Sequence, residues 1–115
     1  MDIEKLRAFC LSLQGVTEDV KWGHDLCFLI GGKMFCVTSL EGDPSISFKV
    51  PDADYDELST SAGIIPAPYM ARNKWVQVQS WDRLTEQEWE SYVKQSYTIV
   101  KSKLTKKLQK EIEAL

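Results

Sequence analysis

A pair of apolar runs around Gly31-Gly32, in "DLCFLIGGKMFCVTS", constrains the fold most strongly. The two adjacent glycines suit the positive φ angles of a tight turn, so the runs are predicted to form a β-hairpin. A two-residue loop would pair Phe28 with Phe35 and Cys27 with Cys36. Because apolar side chains occupy both faces of this hairpin, we expect it to lie centrally in a sheet or to be covered on both sides.

Three cysteines limit the redox and metal chemistry that the chain can carry out: Cys10, Cys27 and Cys36. The predicted Cys27–Cys36 pair falls at a non-hydrogen-bonded site, where α-carbons lie about 4.5 Å apart and a disulfide can form. The chain opens with "MDIEKL", which is unlike a signal peptide, and no apolar run reaches membrane-spanning length. We therefore expect a cytoplasmic protein with no membrane partner and with reduced thiols that pack in the core. Zinc needs more soft ligands than these cysteines and the single His24, so no metal or cofactor is predicted.

Helical periodicity marks the two ends of the chain. Apolar residues from Ile3 to Leu13 recur at three- and four-residue steps, which indicates an amphipathic helix that Gly15 ends. Thr85 and Glu88 form a capping-box pattern ahead of a long helix, and Thr105 marks a break before a last, separate helix. The apolar stripe of this region comprises Trp89, Val93, Tyr97, Val100, Leu104, Leu108, Ile112 and Leu115.

The middle of the chain supplies further strands. "SISFKV" reads as a strand that Pro51 stops, and Asp54 with Glu57 resembles a capping box for a short helix. Two extended segments follow, 69–71 and 74–80, with a turn between them. This order predicts an α+β fold over residues 1–115 as a single domain, with an antiparallel sheet packed by N- and C-terminal helices mainly on one face.

The net charge of -3 conceals an uneven distribution. Residues 1–90 carry 8 basic and 15 acidic groups, whereas residues 91–115 carry 6 lysines and 2 glutamates. A local basic field attracts polyanions even on an acidic protein, although the same lysines would also make an ordinary solvated helix face.

The segment "IIPAPYMARNKWVQV" has the composition of a nucleic-acid contact. Arg72 and Lys74 offer charge for phosphates, and Tyr69 and Trp75 offer flat rings for bases. The alternative is that Tyr69, Met70 and Trp75 pack in the core while the two cations sit on an exposed turn. Composition alone does not separate these interpretations.

Patterns typical of enzymes are absent from the sequence, which has no GxGxxG, Walker, GxSxG or HExxH motif. His24 next to Asp25 is a weak acid–base signal, because adjacent residues in an extended chain point apart. The acidic residues from Asp52 to Glu57 fit helix-terminus positions better than a cation site. No nucleophile, base and orienting group can be assembled, so we expect no enzymatic activity.

Four stretches, "WGHDLCFLIGGKMF", "SFKVP", "GIIPAPYMARNKWV" and "QSYTIVKSKL", together resemble the MmcQ/YjbR family of small bacterial proteins. The resemblance implies a CyaY-like fold, in which helices pack on an antiparallel sheet. Family members are described as predicted DNA-binding proteins, and one belongs to a mitomycin gene cluster. Many relatives carry Pro-Phe-Gly where this chain has Lys21-Trp22-Gly23, so a function tied to that corner transfers less safely. An iron role like that of frataxin would need an acidic first helix, whereas this one offers Asp2 and Glu4 against Lys5 and Arg7.

The sequence therefore predicts a non-enzymatic DNA-binding module. Arg72, Lys74, Lys33 and Lys49 would contact phosphates, Trp75 and Trp22 would stack on bases, and Tyr69 would shape the edge of the site. A planar small molecule or drug, bound in an apolar pocket near Trp22, Tyr69 and Trp75, is the first alternative. The second is a protein-interaction domain, present as a monomer or weak homodimer, that uses the hairpin or the distal helix stripe.

Overall fold

The computed structural model describes residues 1–68 and 70–115 and contains one antiparallel sheet. Its strands lie in the order β1-β2-β3-β4-β6-β5. The strands are β1 (Val16–Lys21), β2 (Asp25–Ile30), β3 (Lys33–Ser39), β4 (Ile46–Lys49), β5 (Ile64–Pro66) and β6 (Trp75–Val78). The helices are α1 (Ile3–Ser12), α2 (Asp52–Ser59), α3 (Glu86–Ser102) and α4 (Lys106–Glu113), with short 3₁₀ turns at Ala71–Asn73 and Trp81–Arg83. The predicted α+β fold is confirmed.

All four helices pack on one face of this sheet. Each contributes to a single core, and alternate strand residues such as Phe28, Ile46 and Val76 point into it. The remaining strand residues point to the opposite face, which we call the open face. One row of open-face residues crosses all six strands in register: Asp19, Cys27, Val37, Ser47, Gln77 and Ile65.

Strand β1 was not predicted, because its sequence VTEDVK is mostly polar. It lies at the edge of the sheet, where charged side chains discourage pairing with other chains. Glu18 of this strand accepts two hydrogen bonds from Arg7 of α1, at 2.6 and 2.8 Å. The strand is therefore held by its neighbour β2, by a bidentate ion pair and by Val16, which packs against the core.

The β2–β3 hairpin is confirmed, but a bulge changes its register. The register shifts between Phe28 and Leu29, so that Phe28 pairs with Cys36 and Cys27 pairs with Val37. Phe35 is the additional residue, and its ring packs in the core with its centroid 5.5 Å from that of Tyr97. The predicted Cys27–Cys36 pairing is therefore wrong: Cys27 lies on the open face, whereas Cys36 joins the core.

Ser96 of α3 completes the backbone hydrogen bonding beside this bulge. The β3–β4 ladder ends at the Cys36–Phe48 pair. Next to it, the buried Ser96 hydroxyl donates to the carbonyl oxygen of Phe35 at 2.6 Å and accepts from the backbone N–H of Lys49 at 2.9 Å. One side chain from a distant helix thus satisfies two strand groups that the ladder leaves unpaired.

Two of the three predicted helix N-termini are confirmed, whereas α1 ends at Ser12, before Gly15. The Thr85–Glu88 capping box is present at α3, and the Thr105 side chain accepts from Leu108 N–H at the start of α4. The proposed Asp54–Glu57 box is wrong, because Pro51 precedes the helix and Asp52 and Asp54 occupy its first turn. Their carboxylates instead stabilise the positive end of the helix dipole. Among the described helices, none is long and apolar enough to span a membrane.

Candidate functional site

Antiparallel pairing brings the predicted phosphate-binding cations to one end of the sheet. Strand β3 begins, β4 ends and β6 begins at this end, so Lys33, Lys49 and Lys74 meet there although they are distant in sequence. Arg72 lies in the 3₁₀ turn that precedes β6. Lys103, which follows α3, shares a small surface cavity with Lys33. We call these five cations the basic end.

Among the described residues, the cations of the basic end make no ion pair shorter than 4.0 Å. Within the described chain, the ion pairs shorter than 4.0 Å involve other cations: the N-terminus, Lys5, Arg7, His24 and Lys101. Arg72, Lys33 and Lys103 are exposed. Their charge is therefore available to a polyanion, without the loss of an existing salt bridge.

The surroundings of Lys49 disfavour the charged form of its side chain. Its ammonium group donates to the carbonyl oxygen of Asn73. Burial lowers the pKa of Lys49, and repulsion from Lys103 and Lys74 lowers it further, although Asp52 acts in the opposite direction. A phosphate placed at the basic end would offset the repulsion and favour the charged form of Lys49.

Replacing Lys49 with methionine is expected to raise the free energy of unfolding at pH 7 by about 0.5 kcal/mol, an amount kept small by solvent screening. A lysine whose folded-state pKa lies below its unfolded value weakens the fold wherever it is charged in both states. This loss disappears as pH rises through the folded pKa towards about 10.4. Urea denaturation at pH 7 and pH 10.5 should therefore show a gain that shrinks at the higher pH.

The control for this measurement is Lys33→Met, an exposed position at the same end, which is expected to leave stability unchanged. A Lys49→Met protein less stable than wild type at pH 7 would contradict the strained-cation interpretation.

Two of the predicted site residues have an unfavourable backbone conformation. Within the described chain, Trp22 (φ 54°) and Lys74 (φ 63°) are the non-glycine residues with positive φ. Such conformations cost roughly 1–2 kcal/mol for a residue with a side chain. The Lys74 N–H donates to the carbonyl oxygen of Ala71 at 3.0 Å, and its ammonium lies 4.9 Å from the centre of the Tyr55 ring. The strained turn thus fixes this cation at the end of the sheet.

Trp75 is not available as a stacking residue. It is 5% exposed, so the prediction that its ring contacts a base is wrong. Trp75 is the cross-strand partner of Lys49 and is buried on the open face, while Arg72 and Lys74 occupy the turn before it. Tyr69 lies outside the described residues.

A cavity of about 650 Å³ lies on the open face. Val37, Ser47 and Gln77 form its floor as direct cross-strand neighbours. The β1–β2 turn and the segment after β5 provide its sides. Among the described residues, its lining comprises Trp22, His24, Asp25, Met34, Val37, Ser45, Ser47, Pro68, Met70 and Gln77. Of the predicted site residues that the structure describes, Trp22, which is 65% exposed, lines this cavity.

Sequence reasoning missed the rest of this cavity. The available signal was alternation: Ser45, Ser47 and Lys49 alternate with buried Ile46 and Phe48, so a polar row on the face opposite the core could have been predicted. The cavity itself arises only when separate strands bring these rows together.

Three described side chains that could take part in acid–base or nucleophilic chemistry are His24, Cys27 and Cys36. His24 Nε2 lies 3.9 Å from Asp25 Oδ1, too far for a hydrogen bond that would orient the ring. Interaction with the Cys10 thiol, together with burial, raises the pKa of the Cys36 thiol well above its ordinary value. Burial likewise raises the pKa of the Cys27 thiol. These thiols stay protonated at neutral pH and are poor nucleophiles.

The distal helix stripe is largely engaged within the chain. Ile112 is 5% exposed and joins the core, and Leu108 packs against it, whereas Leu115 is exposed. Leu115 is thus the exposed residue of the predicted distal stripe, and the homodimer contact stays a prediction.

Comparisons with known proteins identify the fold and the family of this chain. No curated protein matches the chain. A crystal structure of a protein from Pseudomonas syringae has the same fold: its TM-score is 0.72 at 18% sequence identity, over 86% of this chain and 98% of that one. The family model described as YjbR matches residues 11–99, which include both sides of the open-face cavity and most of the basic end. The chain therefore belongs to the YjbR family.

Proposed function

We propose that this protein binds DNA without catalysing a reaction on it, through the phosphate groups, at the basic end. The observation that supports this proposal most directly is the convergence of Lys33, Lys49, Arg72, Lys74 and Lys103 with no carboxylate partner among the described residues. A protein of net charge -3 that keeps such a cluster, part of it strained, pays a stability cost that a polyanion would offset.

The rest of the surface would orient a polyanion towards this end. The opposite end of the sheet carries acidic residues: Asp25 at the start of β2, and Glu41 and Asp43 in the loop between β3 and β4. Asp52 of α2 borders the basic end and acts on Lys49. The resulting field attracts phosphates to one end and repels them from the other, which restricts the approach of a strand.

The double variant Arg72→Ala/Lys74→Ala tests this proposal. Each phosphate contact contributes roughly 0.7 for single strands, or 0.9 for duplex, to the slope of log affinity against log salt. Removal of two contacts should lower the slope by about 1.4–1.8 and weaken binding roughly tenfold at low salt. Fluorescence anisotropy of labelled single- and double-stranded DNA, titrated at several salt concentrations, measures both quantities.

The matched control is Lys5→Ala/Lys21→Ala, which removes the same charge elsewhere. Lys21 lies at the opposite end of the sheet, and Lys5 is on α1, where it lies 3.6 Å from Glu86. This variant should keep the wild-type slope. Absence of DNA binding at low salt, or an unchanged slope in Arg72→Ala/Lys74→Ala, would overturn the proposal.

A free planar small molecule is the second candidate ligand. The open-face cavity, at about 650 Å³, has the size of small-molecule sites, and its lining combines apolar side chains with a few polar ones. Quenching of tryptophan fluorescence by such a molecule, with no response to DNA, would favour this function.

A further inference from the structure

We propose that the open-face cavity receives one unstacked base from a single strand whose phosphates lie on the basic end. This inference rests on the proposed nucleic-acid function and adds the form of the substrate: single-stranded rather than duplex. Three features of the cavity carry it: its continuity with the basic end, its exposed ring surface and its polar floor.

The cavity and the basic end form one continuous surface. Ser47 on the cavity floor and Lys49 are two residues apart on the same face of β4, about 6.6 Å along the strand. Met70, at the side of the cavity, directly precedes the 3₁₀ turn that carries Arg72. A base in the cavity thus leaves its own sugar–phosphate within reach of these cations.

Trp22 provides a stacking surface at the cavity edge. Its indole is 65% exposed and its backbone φ is 54°, so the residue gains little from burial and is held in an unfavourable conformation. Gly23, next in the chain, also has positive φ, as a tight hairpin turn requires. An exposed, strained tryptophan beside a cavity is consistent with a ring that contacts a ligand. Pro68 and Met70 lie on the other side, where a sulfur and a flat pyrrolidine can cover the second face of a base.

The floor matches the edge of a base better than it matches a phosphate. Ser47 and Gln77 are cross-strand partners, and neither side chain hydrogen-bonds to another described residue. A serine hydroxyl and a glutamine amide each donate and accept, as base edges do. Asp25 in the lining would attract an exocyclic amino group and repel a phosphate. The base therefore belongs in the cavity and the backbone outside it.

Duplex DNA cannot fill this cavity, because its bases are paired and stacked inside the helix. Binding of a single strand should therefore exceed that of a duplex with the same number of phosphates. Stacking on an aromatic side chain is worth a considerable part of single-strand affinity at each base.

The test compares Trp22→Gly with wild type, using a labelled single strand, a duplex, and an abasic oligonucleotide of the same length. Glycine suits positive φ, so this variant should fold with equal or higher stability. Its single-strand affinity should fall at least fivefold, with duplex affinity and salt slope unchanged. Wild type should bind the abasic strand about as weakly as the variant binds the normal strand. Gln77→Leu should also weaken single-strand binding, whereas the control Leu40→Ala, an exposed apolar residue outside the cavity, should not.

The outcomes separate this inference from the proposed function. If Arg72→Ala/Lys74→Ala lowers the salt slope while Trp22→Gly and the abasic strand leave affinity unchanged, the base site is wrong and the phosphate site stands. If no oligonucleotide binds and free adenosine quenches the fluorescence of wild type but not of Trp22→Gly, both are wrong and the cavity serves a free small molecule.

Discussion

Replacing Ser96 with alanine is expected to lower the free energy of unfolding by about 2–4 kcal/mol, because two buried backbone groups lose their partner. The carbonyl of Phe35 and the N–H of Lys49 both bond to the Ser96 hydroxyl, which is 0% exposed. Alanine fits the space but offers neither a donor nor an acceptor. Urea denaturation followed by circular dichroism measures the change.

Ser102→Ala is the control on the same helix. The Ser102 hydroxyl is exposed and donates to Ile99 of its own helix, so its loss should change stability by less than about 0.5 kcal/mol. A similar small loss for Ser96→Ala would mean that the bulge beside β4 does not depend on this side chain.

Ser96 also shows why part of the fold escapes prediction from sequence. The hairpin was predictable because Gly31-Gly32 and two apolar runs are local signals, and α3 because a capping box precedes a continuous stripe. The bulge places Phe35 in contact with Ser96 and Tyr97 of α3, far along the chain. Local spacing therefore predicted a regular register and, with it, the wrong cysteine pair.

Strand β1 was missed for a related reason. Apart from Val16, Thr17 and Val20 its residues are charged, because an edge strand needs only one neighbour and here uses Glu18 to bind Arg7. Only knowledge that α1 packs beside it would make that glutamate informative. Sequence patterns identify buried elements well and exposed edges poorly.

The residues of the candidate site were likewise predicted from sequence only in part. The cations of the basic end were chosen from composition, and the strand order places them together, with Lys103 as an addition from the helix layer. Trp75 was chosen for its neighbours in sequence, but tertiary packing buries it. The cavity depends on the register of Val37, Ser47 and Gln77 across three strands, which no single segment encodes.

Replacing Trp89 with alanine is expected to have the largest effect, a loss of about 3–5 kcal/mol in the free energy of unfolding. Trp89 is 0% exposed and packs with its ring centre 5.3 Å from that of Trp81 and 6.3 Å from that of Phe48. Its indole N–H donates to the carbonyl oxygen of Trp81 at 2.8 Å. Alanine leaves both a large void and an unpaired carbonyl, and thermal or urea denaturation should show the loss.

Trp89→Phe separates these two contributions, since it keeps an aromatic ring and removes only the donor and part of the volume. We expect it to lose about 1–2 kcal/mol and to stay folded at 25 °C. Because Trp89 supports Phe48 on the core side of β4, whose other face presents Ser47 and Lys49, the phenylalanine variant should retain DNA affinity. Equal stability of Trp89→Ala and wild type would show that the core relaxes around this position. A Trp89→Phe protein that folds but no longer binds would instead mean that the site depends on a finer placement of β4 than the packing contacts suggest.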